Sequence, residues 1–448
     1  MLKLFLWLKY LRKRRIVLLS IAAVALSVAL LIVVASLFTG FINALERSAV
    51  EMLGDVVLAG PPGRPIEKYP SLIERLEQTD IVEAATGTLS TQGLLNVRLG
   101  DVRPVSLWGI EAGPRARVTG FTDVLLRQSQ LPDDPSFAVP GSPDADGGFV
   151  GIGVVAEADP NTDEYDQTAV LEQMMGQRVV ITTGAPAEAS DADQTPRRKL
   201  VPFHIADIVF TGVHNLDTGF VYVPIETLQK VLYPDKDSPA TTINIKLKPG
   251  TDPVLAVAQI RGLWDVFAER QLGWGEYQRR VATEIVTARE MQRQYVDEIR
   301  KQMGVLLLIF GVISFTVVVL VFCIFYMIVR LKQRDIAILK SCGAASVSVA
   351  WIFLGFGITV GVVGAAIGAA GGYAITKNIN AIEGGIRVVF GLKLWSSSVY
   401  MFTRIPNEVD WASALPIVAL AIAAAAVGAL TPAIVAARTR PVEVLQYD

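Results

Sequence analysis

Histidine and cysteine are almost missing from this 448-residue chain, which has two of each. His204 and His214 stand without cysteines or paired carboxylates at ligand spacing, so the pattern gives no ground for a metal site. Cys323 falls in a long apolar run and Cys342 in a basic loop, which leaves an outer domain to hold together by its core alone. The phosphate-binding pattern GxxxxGK(S/T) does not occur, so the chain carries no P-loop of its own. His214 lies close to Asp217, but no GxSxG nucleophile turn accompanies them, and polar turn contacts explain the pair. Charge of either sign is missing from Ile16–Thr39, Gly304–Val329, Ser341–Thr376 and Trp411–Ala437. Ion-coupled carriers need ionisable groups at such depth, so their absence argues against that class. The net charge of −2 offers no global field for nucleic acid. A catalytic site, a cofactor site and an energy source are all lacking.

Apolar sequence is abundant. Apolar residues make up 52% and charged residues only 19% of the chain, with a mean hydropathy of +0.43. Each of the four uncharged runs exceeds the ~20 residues of a bilayer span. The first is longer than a signal-peptide core and continues into a helical stretch without an obvious small-x-small cleavage site, so it reads as an uncleaved anchor. Lys9, Arg12, Lys13, Arg14 and Arg15 precede the first span. Arg330, Lys332, Arg334 and Lys340 against Asp335 follow the second, and Arg438 and Arg440 follow the fourth. The positive-inside rule puts these segments, and both termini, in the cytoplasm.

The reading is therefore an α-helical membrane protein with four transmembrane helices and a large α+β outer domain of two subdomains inserted between the first and second spans. In order it gives an interfacial elbow helix (1–15), a first span with an outer stalk (16–53) and the domain (54–278). A stalk and second span (279–329), a cytoplasmic helix (330–346) and a third span (347–376) follow. An outer loop (377–410), a fourth span (411–437) and a tail (438–448) complete it. Helical stripes Phe41, Leu45, Ala49, Met52 and Val281, Ile285, Ala288, Met291, Tyr295, Ile299 read as stalks that extend both helices beyond the bilayer, the alternative being two amphipathic helices lying on the domain surface. Strands are expected at Asp55–Gly60, Val82–Leu89 and Thr242–Leu247, helices at Ser71–Thr79 and Asp252–Phe267, and a hairpin over Leu94–Leu107. Residues 54–116 and 225–278 would make one subdomain, and the strand-rich 117–224 the other. Leu131–Gly148 and Gly184–Arg198, dense in Pro, Gly, Asp and Ala, read as loops.

Two patterns point to interaction. In Arg330–Ser346, Ile336, Leu339 and Gly343 recur at helical spacing with Ile338 and Cys342 beside them, giving a short helix with one apolar face and a glycine stop. A plain connection between spans would be shorter and polar, so this loop reads as built to dock a partner. In the third span Gly357, Gly361, Gly364, Gly368 and Gly372 recur every three or four residues. Small residues at that spacing form a helix-packing seam, within the chain or with another copy.

Arg334-Asp-Ile-Ala-Ile-Leu-Lys-Ser-Cys-Gly-Ala-Ala-Ser346, followed by the glycine-rich span, resembles the coupling loop of MacB-like ABC transporter permeases. The tail Pro432-Ala433, Ala436-Ala437-Arg438 and Pro441-Val442-Glu443-Val444-Leu445 is similar to that family's ending, with Ile434-Val435 where basic residues are usual. Within the FtsX/LolC/LolE superfamily, Val209-Phe210-Thr211-Gly212 through Asp217 to Val221-Tyr222-Val223-Pro224, and Ser396–Tyr400 to Asp410-Trp411, resemble Lol-type lipoprotein-releasing permeases. Gly109-Ile110 with Val118-Thr119-Gly120-Phe121, and the opening Leu2–Arg15, are similar to the same group. The resemblance implies a non-catalytic permease subunit in a bacterial inner membrane, its large domain periplasmic. It implies pairing with a second permease copy, identical or paralogous, and with an ATPase dimer that binds the ATP and Mg. Arg334, Asp335, Ile336, Ile338, Leu339, Lys340, Gly343, Ala344 and Ser346 would form the coupling helix. By mechanotransmission the complex would release lipoproteins from the outer leaflet to a periplasmic carrier. Substrate lipid would meet Val34, Leu37, Phe38, Phe41 and Ile42 of the first span, and Met303, Leu306, Leu307 and Phe310 of the second. A MacB-like exporter of peptide, drug or glycolipid, and an FtsX-like regulator of cell-wall hydrolases, are the alternatives.

Overall fold

The structure, a computed structural model, describes residues 15–98, 101–142, 145–184 and 198–439. The elbow expected over 1–15, apart from Arg15, and residues 440–448 of the tail lie outside the described residues, as does most of the 184–198 loop. Helix α1 (Arg15–Leu53) leads into β1 (Val56–Ala59), α2 (Tyr69–Glu77), β2 (Val82–Arg98), β3 (Asp101–Ile110) and α3 (Ala112–Val118). Strands β4 (Gly147–Gly151), β5 (Arg178–Gly184), β6 (Arg198–Val209) and β7 (Phe220–Pro224) follow, then α4 (Ile225–Leu232), β8 (Thr242–Leu247), α5 (Pro253–Leu272) and β9 (Glu284–Thr287). The chain continues through α6 (Arg293–Leu331), α7 (Gln333–Ser341), α8 (Ser346–Lys377), α9 (Ile379–Phe390) and α10 (Trp411–Arg438).

Helices α1, α6, α8 and α10 are each long and apolar enough to cross a membrane. Both α1 and α6 run for 39 residues, well beyond what a bilayer needs. In α1 the helix continues through Leu53; of the expected stripe Leu45 and Ala49 are buried, and Phe41 and Met52 are half-buried. On the other side the expectation fails. The stripe assigned to a stalk from residue 279 is broken by β9, and the continuous helix begins only at Arg293. Ile285 and Ala288 are buried as that stripe predicts, but Glu284-Ile-Val-Thr287 pairs antiparallel with β1. Three-residue spacing fits a helix face, and β-branched neighbours fit a strand equally; the open edge of β1 decides between them.

The inserted domain and residues 393–404 form one compact unit, and residues 15–44, 295–392 and 405–439 form the described part of another. Among the described residues of the domain, nine strands pair in the order β3-β7-β4-β6-β5-β2-β8-β1-β9, and β3 also pairs with β2. Strands β9, β1, β8 and the first half of β2 make an antiparallel sheet. Leu72 and Leu76 of α2 and Ile260, Trp264 and Phe267 of α5 pack with Val56, Leu58, Ile243 and Ile245 of that sheet. The second half of β2 joins β3, β7, β4, β6 and β5 in a ring of strands that closes on itself. Closure leaves those strands no free edge. The division into 54–116 with 225–278 on one side and 117–224 on the other is thereby corrected. Strands β2 and β3, both within 54–116, complete the ring. Strand β2 is 17 residues long and exchanges β8 for β5 along one edge, a switch that alternation in its own sequence does not encode.

Candidate functional site

Helix α7 has two opposite faces. Ile336 is 3% exposed and Ala337 fully buried, and Ile336 packs with Val329, Val349 and Ala436. Ile338 and Leu339 point the other way, 50% and 44% exposed. Lys340 donates from Nζ to the carbonyls of Ala437 and Thr439, both at 2.8 Å. A cation at the C-terminus of α10 also complements the partial negative charge of that helix end. Lys332 pairs with Asp335 on the exposed side, where Arg334 and Ser346 also lie, while Ala344 is half-buried. Gly343 takes a left-handed φ of +94°, which turns the chain sharply from α7 toward α8. The expected docking face is therefore redrawn. Ile336 and Lys340 tie α7 to its own chain, and Ile338, Leu339 and Cys342 face outward. Spacing alone cannot separate Ile336 from Leu339, because residues three apart share a helix flank.

The glycine stripe of α8 meets two neighbours in turn. A methyl group added at Gly357 would lie 2.3 Å from Ala429 Cβ, and one at Gly361 would lie 2.9 Å from Ala425 Cβ, both on α10. At Gly364, Gly368 and Gly372 the neighbours belong to α1: Val24 Cβ at 2.8 Å, the Ala25 carbonyl at 2.5 Å and Ile32 Cβ at 3.1 Å. These contacts lie within the chain, and they require glycine because a Cβ would push the backbones apart.

Helices α1, α6 and α10 enclose a cavity of about 410 Å³. Val24, Val28 and Leu31 line it from α1, Leu307, Phe315 and Val321 from α6, and Ala421, Ala424 and Ala425 from α10. Its wall holds one polar feature, the hydroxyls of Ser27 and Ser314, 2.9 Å apart and bonded to each other. Of the nine residues expected around a substrate lipid, only Leu307 lines this cavity. Ile42 is buried elsewhere, and Val34, Leu37, Phe38, Phe41, Met303, Leu306 and Phe310 are half-buried outside it. The expectation used two helices, but the cavity needs the alanines of α10 as a third wall. Only 6% of the most apolar window of α6 is buried within the chain, so this helix keeps a broad unpartnered apolar surface.

Two segments singled out by resemblance, far apart in sequence, meet in the domain. The amide of His214 donates to the Met401 carbonyl at 2.6 Å, and that of Thr403 to the Gly212 carbonyl at 3.0 Å. Lys393 reaches Asp163 at 2.7 Å, and the Ser397 amide donates to the other Asp163 oxygen at 2.7 Å. Burial pushes the Asp163 carboxyl up, but these donors outweigh it and leave its pKa below the usual value. Asp217 shapes the Thr211–Gly212 turn, accepting from the Thr211 amide (2.7 Å) and hydroxyl (2.8 Å) and from the Gly212 amide (3.0 Å). Burial dominates there and raises its pKa to about 6. Hydrogen bonds to a turn thus account for the aspartate in that motif. A cavity of about 560 Å³ opens beside the junction, between Tyr165, Phe210, Phe402 and Arg404. Among the described residues no group of three or more metal-ligating side chains comes together.

A family profile described as MacB-like periplasmic core domain matches residues 17–263. A second, described as FtsX-like permease C-terminal, matches residues 307–441. The lipoprotein-releasing system transmembrane protein LolC of Neisseria meningitidis serogroup B is 26% identical over 452 aligned positions, covering 98% of each chain. LolE of Haemophilus influenzae is 23% identical over 436 positions, 95% of this chain and 93% of that one. The periplasmic region of MacB from Actinobacillus actinomycetemcomitans, a solved structure, aligns with 55% of this chain and 95% of its own at 13% identity and a TM-score of 0.30. Because the first profile alone covers more than half of the sequence, and the second runs from within α6 through α10, the chain belongs to the family of permeases that join a MacB-like periplasmic core domain to an FtsX-like C-terminal region.

Proposed function

We propose that this chain is the permease subunit of an ATP-driven transporter that releases lipoproteins from the outer leaflet of a bacterial inner membrane. The observation that carries the proposal is the apolar cavity walled by α1, α6 and α10. It falls within the ~300–1,000 Å³ range of small-ligand sites, and its single hydroxyl pair suits a chain that is apolar along its length with one polar end. The cargo class comes from the end-to-end alignment with LolC and LolE. Both termini lie in the cytoplasm and the MacB-like domain in the periplasm. The chain is non-catalytic, and ATP and Mg bind to a separate ATPase pair. Ile338 and Leu339 on the outward side of α7 dock into that ATPase. The exposed face of α6 packs against a second permease copy. ATP-driven closure moves the two long helices, and the domain hands the released lipoprotein to a periplasmic carrier.

The test is reconstitution with the cognate ATPase in proteoliposomes that carry a triacylated lipoprotein. ATP and carrier together should release lipoprotein into the soluble fraction. Transport of a small amphiphile without lipoprotein release would overturn the reading in favour of a MacB-like exporter.

A further inference from the structure

The C-terminal end of α1 is gripped from several directions. The final four carbonyls of a helix have no partner inside it and are ordinarily left to water or local turns. Here the Val50 carbonyl accepts from the Gly54 amide at 2.9 Å, and the Glu51 carbonyl from the Gly120 amide at 3.1 Å. The Met52 carbonyl accepts from the Arg115 guanidinium, and the Leu53 carbonyl from Asn244 Nδ2 at 2.9 Å. Three of the four partners come from the distant segments of α3, its following turn and β8. The chain then leaves the helix through Gly54 at φ +80°, where any Cβ would sit 2.8 Å from the Ile245 carbonyl.

Arg115 is the centre of this grip, and it is unusual in its surroundings. The side chain is 1% exposed, yet its partners are all neutral. They are the Met52 carbonyl, Thr88 Oγ1 at 3.1 Å, Asn244 Oδ1 at 3.0 Å and the ring of Trp108, whose centroid is 5.3 Å away. Thr88 in turn donates to Asn244 Oδ1 at 2.8 Å, so one network joins α3, β2 and β8 to the helix end. Burial lowers the Arg115 pKa to about 10, which still leaves it charged near neutral pH. Its Nε is buried without a partner. A buried cation needs compensating negative charge, and the C-terminus of a helix supplies it. Burying a charge merely to fill this volume would be wasteful, since an apolar side chain fills space without the desolvation cost. What the guanidinium adds is a directional, charge-assisted attachment to one backbone carbonyl.

We propose that Arg115, with Asn244 and Gly120, forms a rigid socket for the end of α1, and that Arg115 is the positioning residue through which movement of this helix is passed to the domain. The proposal rests on the permease reading only for the source of the movement, the partner ATPase. A frayed helix end would absorb a displacement in its last turn, whereas an end whose carbonyls are all held moves with the strands that hold them.

The test uses the full chain with its ATPase in lipid nanodiscs and reads backbone hydrogen exchange with and without vanadate-trapped ATP. In the unmodified complex trapping should change exchange in β2 and β8 at least twofold. Arg115→Met should keep the ATPase rate within twofold and reduce that domain response at least fivefold, and Arg115→Lys should fall between. Gly120→Pro removes a single donor, and its backbone accepts proline: φ is −76° at Gly120, Thr119 before it is extended, and a Cβ would meet nothing closer than Asp123 at 3.8 Å. This variant should also weaken the domain response, while Gly120→Ala, which keeps the amide hydrogen, should match the unmodified chain. If Arg115→Met does not fold, Gly120→Pro decides. An undiminished response in the variants, or no nucleotide response in the unmodified domain, would overturn the socket. Lipoprotein release is assayed in parallel; its absence in the unmodified complex would sink the cargo assignment and leave the exchange result standing.

Discussion

Lys340 Nζ lies 2.8 Å from the carbonyl oxygen of Ala437, so the short helix after the second span is fastened to the end of the fourth. That bond, with Ile336 buried beneath it, holds α7 as a rigid element whose outer side is free to bind. Under the proposed docking, a load on Ile338 or Leu339 would pass through this bond to α10.

Leu339→Asp should therefore abolish co-purification of the ATPase while membrane insertion of the permease is unchanged. Ile336→Asp should act differently. It puts a carboxylate among the apolar side chains of Val329, Val349 and Ala436, where desolvation is costly, so the folded yield itself should fall. Copy number in membranes and pull-down of the ATPase separate the two, and retained binding by Leu339→Asp would remove α7 as the docking element.

The seam of α8 makes a sharper prediction. Gly368→Val places a Cβ 2.5 Å from the Ala25 carbonyl, a backbone atom that cannot swing away. Overpacking of this kind costs about 1–3 kcal/mol and should appear as a lower thermal midpoint in detergent. Gly371, three residues further on, has nothing within 4 Å of the same added atom. Gly371→Ala should be neutral, or stabilising by up to about 1 kcal/mol.

Filling the cavity should impair transport without touching the ATPase. Ala424→Trp projects into the space between α1, α6 and α10, and lipoprotein release per ATP should fall at least tenfold. Phe310→Ala lies outside that space and should change release less than twofold. The reverse order would place the lipid path at the outer ends of α1 and α6.

The domain should respond to acid through two aspartates of opposite sign. Asp217 is raised to about 6 by burial, so the folded state binds its proton more tightly than the unfolded chain. Stability from this group is largest below about pH 4, the unfolded value, and is lost as pH rises toward about 6. Asp217→Asn should remove that slope from thermal melts. Asp163 is shifted the other way. Its contribution is present above the ordinary carboxylate range and disappears as pH falls through its lowered value.

The partner of Asp163 gives a matching variant. Lys393→Met removes a half-exposed ion pair worth about 1 kcal/mol, so residues 393–404 should loosen without unfolding the domain. Hydrogen exchange at the His214 and Thr403 amides, which bond across that junction, should speed up several-fold. Unchanged exchange would mean that backbone pairing alone holds the segment.

The number of long apolar helices, the length of α1 and the spacing of the α8 glycines could all be read from the chain, because each depends on composition or on a period of a few residues. The same locality explains the failures. The stripe from Val281 to Ile299 matched a helix, but the unpaired edge of β1 drew Glu284–Thr287 into the sheet. Ile336 and Leu339 sit on one flank of a helical wheel, and only the packing of Val329, Val349 and Ala436 turns Ile336 inward.

Sequence by itself determined the class of molecule: four uncharged apolar runs give four helices long and apolar enough to cross a membrane, and the loop motif points to the family that the two profiles show. Tertiary structure alone decided which residues meet across the fold. It closed the ring through β2 and β3, made α10 the third wall of the cavity, and divided the glycines of α8 between α10 and α1. It also brought Arg115 to the Met52 carbonyl, 63 residues away along the chain. Hydrophobic period and charge are properties of neighbouring residues, whereas a partner across the fold is set by the joint packing of the whole chain. No local pattern around Arg115 could distinguish a surface arginine from the buried clamp of a helix end.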